Sequence, residues 1–203
     1  MIGIVDYGLG NLFSVKGAVE HLGFDVLVSG DKDELSTCEK LILPGVGAFG
    51  DGMENLRQRG LVDTLNGLVQ FAKTPILGIC LGAQLMTRGS EEFGNHDGLG
   101  WLDADVKKIE PNDPSLRVPH VGWSNINIVQ DSLLFCGLDP EPLFYFVHSF
   151  WIQSRTPKNV VATGDYGGPF AIALASDNIY AVQFHPEKSQ KDGLAVLMNF
   201  LKD

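Results

Sequence analysis

Through the first two-thirds of the chain, short apolar runs alternate with stretches whose apolar positions recur every three or four residues. Ile2–Val5 and Pro75–Ile79 carry no charged residue and read as strands buried on both faces, with Phe24–Val28 and Lys40–Leu43 as further strands. Gly8-Leu9-Gly10-Asn11 reads as a turn followed by an Asn or Ser helix cap. Val15, Ala18, Val19 and Leu22 fall at helical spacing, and Gly23 is placed as a helix-terminating glycine. Leu61, Leu65, Leu68 and Val69 mark a helix over 61–72, and Leu81–Thr87 opens another. Strand, helix, strand, helix in that order implies parallel strands with covering helices, a doubly wound, mostly parallel α/β sheet.

From about Gly98 the pattern changes to closely spaced strand candidates: Asp105–Ile109, Leu143–Phe150, Val160–Thr163, Phe170–Ala175 and Tyr180–Phe184, with a turn at Asp177-Asn178. That region reads as a smaller antiparallel extension. Gly193–Leu201 carries Leu194, Leu197, Met198 and Leu201 at helical spacing and is expected to pack back on the sheet. No internal repeat, low-complexity tract or linker interrupts the pattern, so 1–203 is expected to be one domain.

Charge narrows the functional classes. Fifteen Lys and Arg against 25 Asp and Glu give a net charge of −10, which argues against nucleic acid and against an anionic membrane as partners. The opening apolar run meets Asp6 at once, too early for a secretory signal, and no stretch approaches the roughly 20 apolar residues of a spanning helix. Three widely spaced cysteines without a CxxC pair (Cys38, Cys80, Cys136) suggest no disulfide framework and no zinc site. A cytoplasmic protein that needs no metal and no cofactor is expected.

Gly78-Ile79-Cys80-Leu81-Gly82 places a potential nucleophile between a buried strand and a helix, with small residues two positions to either side: the nucleophile-elbow pattern with cysteine in place of serine. The helix N-terminus would favour the thiolate, and the Leu81 N–H would be free to stabilise an oxyanion. Taken alone, the pentapeptide fits an inert buried cysteine equally well. The second part comes 105 residues later, at Phe184-His185-Pro186-Glu187. If this segment is extended, His185 and Glu187 point to one side, so Glu187 can fix the imidazole tautomer while the other ring nitrogen faces Cys80. Elbow and HPE together point to a Cys80–His185–Glu187 triad. Pro44-Gly45-Val46-Gly47 follows an apolar strand and offers peptides able to turn an N–H toward a tetrahedral oxygen.

Other candidates fare worse. Gly8-Leu9-Gly10 lacks the third glycine of a dinucleotide fingerprint, since Phe13 stands there. His21 and His96 read as bland, and Cys38 and Cys136 as structural thiols.

GICLGAQ, QFHPEKS and PGVGAF together resemble the triad-type (class I) glutamine amidotransferases, whose fold is flavodoxin-like. More narrowly, DYGLGN, GLGW at 98–101, VPHVGW at 118–123 and YFVHSF at 145–150 are similar to the glutaminase subunits of imidazole glycerol phosphate synthases, a likeness that covers nearly the whole chain. The resemblance implies hydrolysis of glutamine through a Cys80 thioester, with oxyanion donors at Leu81 and in the Val46–Gly47 region. It implies substrate contacts from Gln84, His148, Ser149 and Phe150. The ammonia would pass to a (β/α)8 synthase (cyclase) subunit bound as a heterodimer, which forms imidazole glycerol phosphate and an aminoimidazole-carboxamide ribotide in histidine biosynthesis. Tyr7, Asn11, His120, Gly122 and Trp123 match positions near that docking face. Ser124 follows Trp123 where the family usually has Asn, which leaves open a paralogous role supplying ammonia to a surface-polysaccharide sugar amidotransferase. From the residues alone, a thiol hydrolase on the same scaffold and a non-catalytic interaction module also remain.

Overall fold

The structure is a computed structural model that describes residues 1–202. In chain order its strands are β1 (Ile2–Val5), β2 (Val26–Ser29), β3 (Lys40–Leu43), β4 (Ile76–Ile79), β5 (Gly89–Ser90), β6 (His96–Asp97) and β7 (Ala104–Lys108). There follow β8 (His120–Asn125), β9 (Asn127–Ile128), β10 (Leu143–His148), β11 (Phe150–Ser154), β12 (Val160–Asp165), β13 (Pro169–Ser176) and β14 (Ile179–Val182). The helices are α1 (Leu12–His21), α2 (Lys32–Ser36), α3 (Phe49–Gln58), α4 (Leu61–Asn66), α5 (Leu81–Leu85) and α6 (Gln190–Lys202).

The large sheet runs β2-β1-β3-β4-β14-β13-β11-β7-β5-β6, with β12 and β9 attached alongside β13. Its first five strands are parallel, the 2-1-3-4-5 order of a doubly wound sheet. The strands are apolar throughout because both faces are covered. Val5, Leu41 and Leu43 face a core with Phe49, Met53, Leu56, Leu61 and Leu65. Ile2, Ile4, Ile42, Leu77 and Ile79 face the other, with Val15, Val19, Val196, Leu197 and Phe200. The expected mixed sheet with an antiparallel extension is therefore what the chain forms: β13, β11 and β7 continue it antiparallel.

The fifth parallel strand decides where the chemistry sits. β14 is separated from β4 by a hundred residues of chain, yet pairs with it so that Ile79 lies opposite Val182. Cys80 and Gln183 are thus the first residues beyond two adjacent carboxyl ends. The β13–β14 hairpin is fixed in turn by Asp177 at φ +55° and by Asn178, whose amide donates to the Val69 and Thr74 carbonyls at 2.9 Å.

Several local expectations are corrected. Leu143–Phe150 is not one strand: it breaks at Ser149, β10 pairing with β8 in a separate two-stranded sheet and β11 entering the large one. The helix over 61–72 is α-helical only to Asn66, then widens to a π turn over Gly67–Phe71. The helix after Cys80 ends at Leu85 rather than Thr87. Asn11 precedes α1 without a side-chain cap bond, whereas Gly23, at φ +87°, closes it with a Schellman pair, its N–H to Glu20 O at 2.9 Å and the Phe24 N–H to Val19 O at 3.3 Å. Helix α3 and the short α2, capped by the Asp31 carboxylate, were not foreseen, and neither was strand β8. Among the described residues no helix is long and apolar enough to cross a membrane.

Candidate active site

Cys80 joins β4 to α5 at φ +53°, ψ −110°, a conformation that costs a residue with a side chain on the order of 1–3 kcal/mol. The flanking glycines are what allow it. A Cβ on Gly82 would run into the Leu43 carbonyl, and one on Gly78 would lie 2.7 Å from the Ala83 Cα. The spacing of the elbow is therefore set by backbone passing backbone. As the first residue of a helix, Leu81 has an N–H with no partner inside that helix.

The HPE segment arrives from the neighbouring strand. His185 is extended, but Pro186–Lys188 is a 3-10 turn, so the turn, not a continued strand, brings His185 and Glu187 together. Nδ1 of His185 donates to Oε1 of Glu187 at 2.8 Å in a pair whose side chains are almost completely buried. A carboxylate only accepts, so Nδ1 carries the hydrogen and Nε2 is presented to Cys80. Nε2 itself is buried and has no hydrogen-bond partner among the described residues. Burial opposes the charged ring, but Cys80 and Glu187 outweigh it and push the His185 pKa up to about 9. Ser189 and Asp192 brace this turn, the Ser189 hydroxyl donating to His185 O at 2.6 Å and accepting from the Tyr145 N–H at 3.0 Å, and Asp192 accepting from the Leu143 N–H at 2.8 Å.

Cys80, His185, Leu81, Val46, Gly47, Gln84, His148, Ser149 and Phe150 line one cavity of about 360 Å³, a volume suited to a small polar metabolite. All the residues expected at catalytic, oxyanion and substrate positions, apart from Glu187 behind the imidazole, thus line the same cavity. Their orientations differ from the simplest expectation. Gln84 spends both amide hydrogens inside the protein, on Phe150 O and Gln183 Oε1, each at 3.0 Å. The His148 Nδ1 lies 2.9 Å from the Phe150 carbonyl, and burial holds the ring neutral with a pKa of about 4.

Across the cavity, Gly47 has φ +109° and nothing within 4 Å of where a Cβ would stand, while Val46 is exposed. Gly45 is different, because a Cβ there would lie 2.5 Å from the Tyr7 hydroxyl and 2.7 Å from the Gly82 N.

The five residues expected at a docking face divide, with Gly122 half-buried on β8. Trp123 is exposed on β8, edge-on to Tyr145 in an outward ladder with Val121 and Val147. Asn11 is half-buried. Tyr7 and His120 are instead buried, and neither side chain can serve as a surface anchor: Tyr7 lies under the Gly45 loop, its hydroxyl unpaired, and His120 faces inward from β8 toward His148 and Phe146. Cys136, expected to be structural, is exposed.

Two residues at the site escaped sequence reasoning. Gln183, fully buried, donates from Nε2 to the Cys80 sulfur at 3.8 Å; its signal was its place two residues before His185. Glu92 lines the cavity and accepts from the Phe49 N–H at 2.7 Å; nothing in its polar loop marks it. Among the described residues no group of three or more His, Cys, Asp or Glu is arranged to hold a metal ion.

The family model for class-I glutamine amidotransferases matches residues 3–203. The chain is 43% identical over 207 residues to the imidazole glycerol phosphate synthase subunit HisH of Caulobacter vibrioides, covering 99% of this chain and 97% of that one. It is 45% identical over 204 residues to the subunit of the same name from Sulfurimonas denitrificans, covering 100% and 98%. Among solved structures, a glutamine amidotransferase superposes with a TM-score of 0.76 at 21% identity, covering 99% of this chain and 97% of that one. The PurLQS structure from Thermotoga maritima gives 0.79 at 20%, with the same coverage. At such identities these two carry the fold alone.

Proposed function

The chain belongs to the class-I glutamine amidotransferase family, and from that membership we propose that it hydrolyses glutamine at Cys80 and hands the ammonia to a synthase subunit, as a single domain acting in the cytoplasm. The observation that carries this reading is the convergence of an elbow cysteine and a buried His185–Glu187 pair, from neighbouring parallel strands, on one cavity.

Sγ of Cys80 attacks the side-chain carbonyl of glutamine, and the developing oxyanion is taken by the Leu81 N–H and by a peptide N–H of the Val46–Gly47 segment. His185 gives its Nε2 proton to the departing amine, so ammonia leaves and a thioester remains. The same nitrogen then takes a proton from water, hydroxide adds to the thioester, and the tetrahedral adduct expels the Cys80 thiolate to give glutamate. Glu187 holds the ring on its Nδ1 side throughout. The free amino acid also carries an ammonium and a carboxylate; Glu92, the acidic side chain in the wall, suits the former, and the Ser149 hydroxyl, a donor on the same cavity, suits the latter.

The partner follows from the relatives, which are named as subunits of imidazole glycerol phosphate synthase: a (β/α)8 synthase subunit in histidine biosynthesis, docked over the Trp123 ladder. The test is glutamate release by the complex. Replacing Cys80 with Ala should lower it by at least a thousandfold, and 6-diazo-5-oxonorleucine should label Cys80 of the native chain. Glutamate production by Cys80→Ala, or labelling elsewhere, would overturn the reading. Stable binding to a sugar amidotransferase instead of the (β/α)8 subunit would move the assignment to the polysaccharide branch.

A further inference from the structure

A hydrogen-bond chain leads away from the nucleophile, and its directions can be worked out atom by atom. The Phe150 carbonyl can only accept. The Gln84 amide atom 3.0 Å from it is therefore the nitrogen, which fixes the orientation of the side chain. The second hydrogen of that nitrogen is directed at Gln183, 3.0 Å away, so the Gln183 atom facing it is the oxygen. What remains of the Gln183 amide is the nitrogen, and it points at the Cys80 sulfur, 3.8 Å away.

The other end of the chain closes the same way. His148, kept neutral by burial, has one ring hydrogen, and the Phe150 carbonyl at 2.9 Å requires it on Nδ1. Its Nε2 then accepts from the His120 Nδ1 at 3.1 Å, and the His120 Nε2 accepts from the Ser124 hydroxyl at 3.1 Å. Every link from Ser124 to the sulfur has one permitted direction, and both lone pairs of the Phe150 carbonyl are occupied.

We propose that Gln183 is a positioning residue that presents a fixed N–H to the Cys80 sulfur, its amide locked in that orientation by Gln84 through the Phe150 carbonyl. The β4–β14 register sets the two residues side by side, since Ile79 lies opposite Val182 and the next residue on each strand is one of the pair. An N–H donor favours the thiolate over the thiol. A flipped amide would set its oxygen against the sulfur and do the opposite, which is why the orientation needs a lock.

The inference rests on Cys80 being the nucleophile, but its test does not require turnover. In the full chain carrying Cys136→Ser, to silence the exposed thiol, the rate of iodoacetamide alkylation of the Cys80 peptide is followed by mass spectrometry from pH 5 to 10. Gln183→Met should slow alkylation at neutral pH about tenfold, the scale of one hydrogen bond to a charged group, and move the half-maximal pH upward by about one unit. Gln183→Leu likewise removes the N–H without adding a charge and should shift the profile the same way, so a folding defect in the Met variant does not decide the result. Gln84→Leu, which unlocks the amide, should slow alkylation two- to fivefold. Unchanged profiles in both Gln183 variants would overturn the proposal, and a shift at Gln183 with none at Gln84 would overturn the lock. If Gln183 behaves as expected while 6-diazo-5-oxonorleucine fails to label Cys80, the glutaminase reading falls and the positioning role stands.

Discussion

The two walls that face each other across the cavity are built on opposite plans. On one side, the Cys80 elbow is buried and closed: Leu81 is inaccessible, Gly82 lies against the Leu43 carbonyl, and Gly78 against Ala83. On the other, Val46 and Gly47 stand in the open, with no atom near the place a Gly47 side chain would take. Both walls supply a backbone N–H to the proposed oxyanion site, yet only the elbow is held in place by its surroundings. The difference teaches that the proposed nucleophile and one proposed donor are set by packing, whereas the second proposed donor sits on an open peptide bordered by glycine. A catalyst assembled this way can be complete in one loop conformation and incomplete in another.

That contrast can be broken most severely at Gly82. Ala there should destabilise the chain by about 3 kcal/mol, because a backbone carbonyl cannot step aside, and the melting temperature should fall by about 10 °C. An Ala variant that melts with the native protein would show that the elbow is not closed by packing.

An effect of similar size is expected from pH on the elbow side. The unfolded His148 ring takes up a proton near pH 6.5, but burial delays uptake in the folded chain to about 4. Stability is therefore complete above pH 6.5 and eroded as pH falls toward 4, by about 3 kcal/mol across that window. His185 works oppositely: its pKa is raised to about 9, so its contribution is complete below about 6.5 and fades as pH rises through 9. Thermal melts at pH 4.5, 7 and 9.5 read both arms, and His148→Gln should flatten the acid one.

Gly47→Ala sharpens the comparison at lower cost. Space is free, so only the φ of +109° penalises the side chain, by about 1 kcal/mol, a melting shift of about 3 °C. A loss as large as that at Gly82 would mean that the loop is as tightly set as the elbow.

An effect of the same size and opposite sign belongs to Tyr7, between the two walls. Its buried hydroxyl has no partner, and burial together with the Cys80 charge raises its pKa. Tyr7→Phe removes an unsatisfied group without a cavity and should stabilise the chain by about 1 kcal/mol in a urea titration.

The strands β1, β3 and β4, the elbow and the HPE pair were legible because each is a local pattern: an apolar run, a glycine spacing, a His and a Glu two residues apart, although a 3-10 turn rather than the expected extended segment joins that pair. Helix α3 was not, although Phe49, Met53 and Leu56 are its buried face; the glycines at 45, 47, 50 and 52 masked the period. Leu143–Phe150 read as one strand because FYFVHSF is apolar on both sides of the break at Ser149, and nothing local says that the chain changes sheets. The burial of Tyr7 and His120 and the role of Gln183 depend on which strands become neighbours. Pairings across a hundred residues leave no periodic trace.

The place of β14 has a consequence for synthesis. It is flanked by β4 on one side and β13 on the other, so while a ribosome is still translating the region before Ile179 the sheet has a gap at its middle. Cys80 has emerged by then, but the imidazole that would draw off its proton has not been made. The Cys80–His185 pairing proposed for the site is thus assembled only when the sheet closes.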